Sequence, residues 1–213
     1  MKIKFFNAVL CIVLSMGVKS SRAQTTYTDG IITYKTVQGQ DVEMKEYFSA
    51  DSVANVFSAG PANIKLLTDA NHEFFALLVD ISAFAIKKAA IYSPDEIKAA
   101  MNDFPAITFS PGTETKQISG FNCTKVVVTT TRDQKTYDLW ITNDIVVPPV
   151  AIPYYYKDVG GFPVQYTAFK QGETTEVIVT AVSADIAPAG TFSIPPDFDK
   201  ISKTDLDQMS NVH

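Results

Sequence analysis

The sequence predicts a mostly β domain of the α+β class, built on a large, strongly curved antiparallel sheet with few short helices. Three observations predict it. From Gly30 onward, short runs rich in valine, isoleucine, threonine and aromatics recur, joined by links of a few polar residues or glycine, which is the spacing of hairpins. One run, Phe74–Val79, is apolar on both alternating faces, Phe74, Ala76 and Leu78 on one and Phe75, Leu77 and Val79 on the other. Such a strand needs cover on each side. Only one stretch of the chain carries a complete helix signature.

The N-terminus is read apart from the fold. Lys2 and Lys4 precede the apolar run NAVLCIVLSMGV, and Ser21 and Ala23 stand at the small-residue spacing of a signal peptidase site. A cleaved signal peptide over residues 1–23 is expected, leaving residues 24–213 as a single exported domain, periplasmic or secreted. The apolar run is shorter than the ~20 residues of a membrane span, and Leu10 before Cys11 does not suit a lipoprotein signal. Cleavage removes four of the 18 basic residues and none of the 23 acids, so the charge falls from −5 to −9. That balance disfavours nucleic acid and anionic membranes as partners. Cys11 leaves with the signal, so Cys123 has no intramolecular partner and the fold must stand on its core.

In order, strands are expected at 30–37 and 42–49 around a turn at Gln38–Asp41, and at 72–80 and 82–89 folded back at Asp80. Ser93-Pro94-Asp95-Glu96 then combines a capping serine, a proline at the first helical position and a glutamate that reaches back. The helix presents Ile97, Ala100 and Met101 on one face and ends before Phe104-Pro105. Two further hairpins follow, 123–131 with 135–142 and 162–169 with 174–182. Between them DIVVPPVAIPYYYKDVGG, with three prolines and a tyrosine triplet, forbids regular structure. Gly120 separates two extended runs and marks a turn or bulge. Cys123 opens the next strand, where a reduced thiol packs as a small apolar group.

Several of these pieces carry a resemblance. Gly30–Tyr34 (GxIxY), Thr113–Cys123 (T-x-E-T-K-x-I-x-G-[FY]-x-C), Tyr137–Thr142 (YxxW-[IV]-T), Gly161-Phe162-Pro163 and Phe192–Pro195 (F-x-I-P) punctuate nearly the whole exported chain. In that order they resemble a family of secreted bacterial proteins of unknown function, grouped by fold with the outer-membrane lipoprotein carriers of the Lol type. The resemblance implies an unclosed β-barrel, a half-barrel with an apolar concave side partly covered by helices. In the carriers that side receives acyl chains. The family has no established activity, so no catalytic residue carries over.

The chemistry legible in the chain is sparse. There is no G-x-S-x-G elbow, H-E-x-x-H, phosphate loop or C-x-x-C. Two histidines, His72 and His213, and one cysteine do not make a usual zinc site, and acid pairs such as Asp51 with Asp69 or Asp138 with Asp144 show no selective spacing. No enzyme, metal or cofactor is expected. The aromatics are more informative. Trp140 shares a strand face with Thr136, Asp138 and Thr142, under the proline-rich loop or open to a ligand. Tyr154, Tyr155 and Tyr156 suit the rim of an apolar opening, and with Trp140 and Phe162 they form the candidate ligand or partner rim. The expected role is a non-enzymatic carrier that holds a lipid or other apolar molecule in the curved sheet. The alternative is a module that docks another cell-envelope protein, its hollow filled by its own side chains.

Overall fold

The computed structural model describes residues 24–37, 43–170 and 172–210. The expected signal peptide and the Gln38–Asp41 turn lie outside the described residues. In chain order the elements are β1 (Thr25–Thr26), β2 (Gly30–Thr36), β3 (Glu43–Phe48), β4 (Ser52–Ala59), β5 (Ala62–Asp69), β6 (Phe75–Ile81), β7 (Ile86–Ile91) and α1 (Pro94–Asn102). There follow β8 (Ile107–Ile118), β9 (Phe121–Thr130), β10 (Thr136–Thr142), β11 (Ile145–Val146), β12 (Phe162–Lys170), β13 (Glu173–Ser183), β14 (Asp199–Ser202) and α2 (Lys203–Ser210).

Twelve strands form one sheet in the order β14-β7-β6-β5-β4-β3-β2-β13-β12-β10-β9-β8. Its two ends, β14 and β8, do not pair, so the sheet is unclosed. It is also strongly bent. Phe48 and Val53 of β3 and β4 share one core with Val126 and Val128 of β9 and with Ile107 and Phe109 of β8. Strands β4 and β8 stand seven places apart, on the order of 30 Å along a flat sheet, so the sheet must curl around that core. The pairing is antiparallel except at β14, which runs parallel to β7, while β1 and β11 form a separate parallel pair.

Local chemistry explains the turns. Ile118 pairs with Phe121, and the two residues between them, Ser119 and Gly120, have φ of 51° and 85°. Two positive φ values in a two-residue loop match the right-handed twist of the flanking strands, and glycine takes the second at no steric cost. Gly120, expected at a turn or bulge, thus sits in a two-residue hairpin turn. Gly30 is required by close approach, since a Cβ there would stand 2.1 Å from the Ser183 carbonyl oxygen. Pro111 sits on β8, an edge strand with an irregular register between Pro111 and Thr115, where its missing N–H leaves no gap in a central ladder.

Helix α1 has the expected capping box: Ser93 Oγ accepts from the Glu96 amide, and the Glu96 carboxylate accepts from the Ser93 amide at 2.8 Å. Residues 82–84, expected to begin a strand, form a single 3-10 turn, and Ala85 leaves it with φ of 53°. The hairpin of β4 and β5 and helix α2 were not anticipated, and of β8 only the extended run before Gly120 was.

The two faces of the sheet are covered differently. On its inner face lies the large core just described, filled by Val147, Ala151 and Tyr156 from the loop after β11. On the outer face of β4–β7, Ala54, Leu67, Ala76, Leu78 and Ala89 are covered by Phe192, Ile194 and Phe198. Strand β6 is therefore packed from outside at Ala76 and Leu78. Phe74 precedes the strand and is exposed.

Candidate functional site

A cavity of about 340 Å³ lies on the inner face between β3–β6, helix α1 and the loop at 150–154. Its volume is in the range of small-molecule sites. Val53, Phe75 and Tyr92 line it from the sheet and the end of β7, Ile97 and Met101 from α1, and Phe104 from the segment that follows. Ile152, Pro153 and Tyr154 close the opposite side, and His72 borders it from the β5–β6 turn. The His72 and Tyr154 rings meet edge to face, 5.1 Å apart.

Beside the cavity the inner face continues as an apolar strip. Asn55 on its wall pairs across to Leu66 and Leu66 to Leu77; the next row is Phe57, Ile64 and Val79. These five apolar side chains are only half-buried and belong to neither core cluster.

The cavity wall holds one carboxyl group. Strand alternation puts Glu46 on the same side of β3 as Met44 and Phe48, and Glu46 pairs directly across from Asn55. Tyr34 reaches over from β2, donating to Glu46 Oε2 at 3.1 Å and lying against Asn55 Oδ1. Burial raises the Glu46 carboxyl to about 7, although hydrogen bonds from Tyr34 and Asn55 pull it down. Desolvation is the larger effect because no cation among the described residues offsets it. Burial, with the Glu46 carboxylate second, also raises the Tyr34 hydroxyl well above its ordinary range.

Of the five residues expected at the rim, Tyr154 alone borders the cavity. The reason is the geometry of the triplet: Tyr154–Tyr156 form one turn of 3-10 helix, in which successive side chains point about 120° apart. Tyr156 goes inward, fully buried, and donates to the Thr167 carbonyl at 2.8 Å. Tyr155 packs on Phe104, Phe169 and Tyr156, and burial pushes its hydroxyl up to about 12. Phe162 is a buried member of the inner core.

Trp140 is also buried, paired with Lys125 on β9 and Gln165 on β12. The Lys116 ammonium stands 4.1 Å from the centre of its ring and donates to Gln165 at 2.9 Å. A lysine stem and head thus shield the tryptophan on a mixed polar face. Cys123 is 1% exposed, and burial raises its thiol to about 11. Among the described residues no group of three or more metal-ligating side chains forms a metal site. Asp138 is paired with Lys125 and Asp144 accepts from the Asn122 amide. Glu46 and Asn55 were missed in the sequence, though each stands among apolar residues at strand spacing: Met44, Glu46, Phe48 and Val53, Asn55, Phe57.

No family model matches the chain, and neither does any curated protein. Among solved structures, two crystal forms of PNGF-II superpose on it with a TM-score of 0.51, at 16% and 17% identity. They cover 85% of this chain, which spans about a third of PNGF-II, 32% and 33% in the two forms. An uncharacterized conserved protein from Thermus thermophilus aligns with 83% of this chain and 91% of its own at a TM-score of 0.49 and 9% identity. The likeness to PNGF-II is one of fold alone.

Proposed function

We propose that the protein is an exported, non-enzymatic binding or carrier module that holds an apolar molecule in the hollow of its unclosed sheet. The observation that carries this reading is the cavity between α1, the 150–154 loop and the inner face of β3–β6, continued by the half-buried strip of Phe57, Ile64, Leu66, Leu77 and Val79. Apolar burial is worth roughly 25 cal/mol per Å², so an alkyl tail laid along this strip is held without specific polar contacts. The likeness of the Gly30–Tyr34, Thr113–Cys123 and Phe192–Pro195 motifs to a carrier-like secreted family supports the same reading. Among the described residues no helix is long and apolar enough to cross a membrane.

The test is solvent extraction of the folded, detergent-free protein, with mass spectrometry of the extract and native mass spectrometry of the intact complex. A stoichiometric apolar compound is expected. An empty spectrum, with added amphiphiles of every head charge refused, overturns the reading and favours docking of an envelope protein.

A further inference from the structure

We infer that the cavity is selective for amphiphiles with a cationic head, an amine or quaternary ammonium lodged against Glu46 and the aromatic walls. The inference rests on the carrier reading and names its ligand class.

Three observations converge on it. Glu46 is the one acid on the cavity wall, and no lysine or arginine among the described residues lines the cavity. Its hydrogen-bond partners, Tyr34 and Asn55, are neutral. A carboxylate in apolar surroundings without a counter-charge is costly, and a bound cation supplies that charge. Four aromatic rings, Phe75, Tyr92, Phe104 and Tyr154, line the same space. Lys157 already stands 4.4 Å from the centre of the Tyr154 ring and Lys203 6.0 Å from that of Tyr92, whereas no lysine stands over Phe75 or Phe104 among the described residues. Aromatic faces attract ammonium groups, most strongly when water is excluded, and such cages are how quaternary ammonium ligands are held. The chain itself is acidic, at −5 over its full length and −9 without residues 1–23, so the long-range field also draws cations. A fatty-acid carboxylate would instead face Glu46 and repel it once both are ionised.

Other titratable groups bear on Glu46 as well. Tyr34 on β2 hydrogen-bonds it, Tyr166 on β12 lies within electrostatic reach, and His72 borders the same cavity. Burial raises both tyrosine hydroxyls well above 10, so neither ionises near neutrality. Glu46, at about 7, changes charge in the window where a permanent cation would feel it. Binding of such a cation strengthens as pH rises through that value.

The experiment compares decyltrimethylammonium, decanol and decanoate, below micelle formation, by titration calorimetry on the full exported chain. The expected order is the cation ahead of decanol by about tenfold, with decanoate weakest. The affinity for the cation should rise roughly tenfold between about pH 6 and about pH 8. Glu46→Gln, a change of charge with little change of shape, should abolish both the preference and the pH response. His72→Gln should keep both, which separates Glu46 from the histidine. Equal uptake of the three probes, or a pH response that survives Glu46→Gln, overturns the head-group selectivity and leaves the carrier reading in place. Refusal of all three overturns both.

Discussion

The sheet divides into two halves that face the same hollow and fill it differently. In the half from β2 through β13, β12, β10, β9 to β8, the loop after β11 folds back into the concavity and plugs it with Val147, Ala151 and Tyr156. In the half from β3 to β7, the inner face meets the short helix α1 and the turn at 150–154, and a void remains. The difference is one of supply. The loop between β10 and β12 is long and rich in large apolar side chains, whereas α1 has nine residues and buries Ile97 alone. A curved sheet of this width has more concave surface than the chain has side chains to cover. The uncovered part is where the proposed ligand would lie, and it coincides with the one carboxyl group that the described residues put on the cavity wall.

The most direct way to break this contrast is to remove one large side chain from each half. Tyr156→Ala deletes a fully buried ring and its hydrogen bond to the Thr167 carbonyl, and should cost about 3–5 kcal/mol. Met101→Ala removes a half-buried side chain that already faces the void, and should cost only about 1 kcal/mol. Urea unfolding of both variants measures this. Similar costs would mean that the two halves are packed alike and that the cavity collapses in solution.

How much of this was legible in the sequence follows from the same contrast. The strands at 30–36, 136–142, 162–170 and 173–183 could be read because alternation, β-branched residues and short links agree. The capping box of α1 is a local signal, decided within four residues. The β4–β5 hairpin could not be read in the same way. SVANVFSA and ANIKLLTD are diluted with alanine, asparagine and serine, and their pairing is set by neighbouring strands more than by their own propensity. The rim residues are dispersed for a different reason. Tyr154, Tyr155 and Tyr156 are identical in the sequence, and only the 3-10 turn sends one to the cavity and another into the core. Trp140 was expected under the proline-rich loop or open to a ligand, and it is Lys116 from β8 that stands over its ring. Glu46 was overlooked, although an acid between Met44 and Phe48 at strand spacing already faces the apolar side.

Glu46 also sharpens the comparison through pH. Its carboxyl titrates at about 7 in the folded protein against an ordinary value of 4.5. Between these values the folded state holds the proton more tightly than the unfolded chain, so the contribution of Glu46 to stability falls as pH rises from 4.5 to about 7 and is flat above. The fall is up to about 3 kcal/mol. The exposed acids Asp51, Glu96, Asp133, Asp197 and Asp205 are shifted down by their hydrogen bonds and push stability the opposite way. They are common to wild type and variant, so the difference between the two isolates Glu46. Glu46→Gln should match the wild type near pH 4.5 and exceed it near pH 8. Parallel stability curves would place the carboxyl in water, and the cavity would lose the one carboxyl group that the described residues put on its wall.

The smallest expected effect tests the buried thiol of the plugged half. Cross-strand pairing sets Cys123 opposite Lys116 on β8 and Thr142 on β10, on the strand face that also carries Lys125 and Trp140. Its Sγ lies 3.6 Å from the Phe121 carbonyl oxygen. Buried, and with its thiol raised to about 11, it has little thiolate character at neutral pH. Cys123→Ala should therefore cost about 1 kcal/mol and leave uptake of any amphiphile unchanged, because Cys123 does not line the cavity. In the wild type, modification by a thiol reagent should be slow and should track global unfolding as urea is raised. Rapid labelling of the native protein would show that the packing around Cys123 opens locally. Slow labelling combined with altered uptake in Cys123→Ala would instead mean that packing in the plugged half sets the shape of the open one.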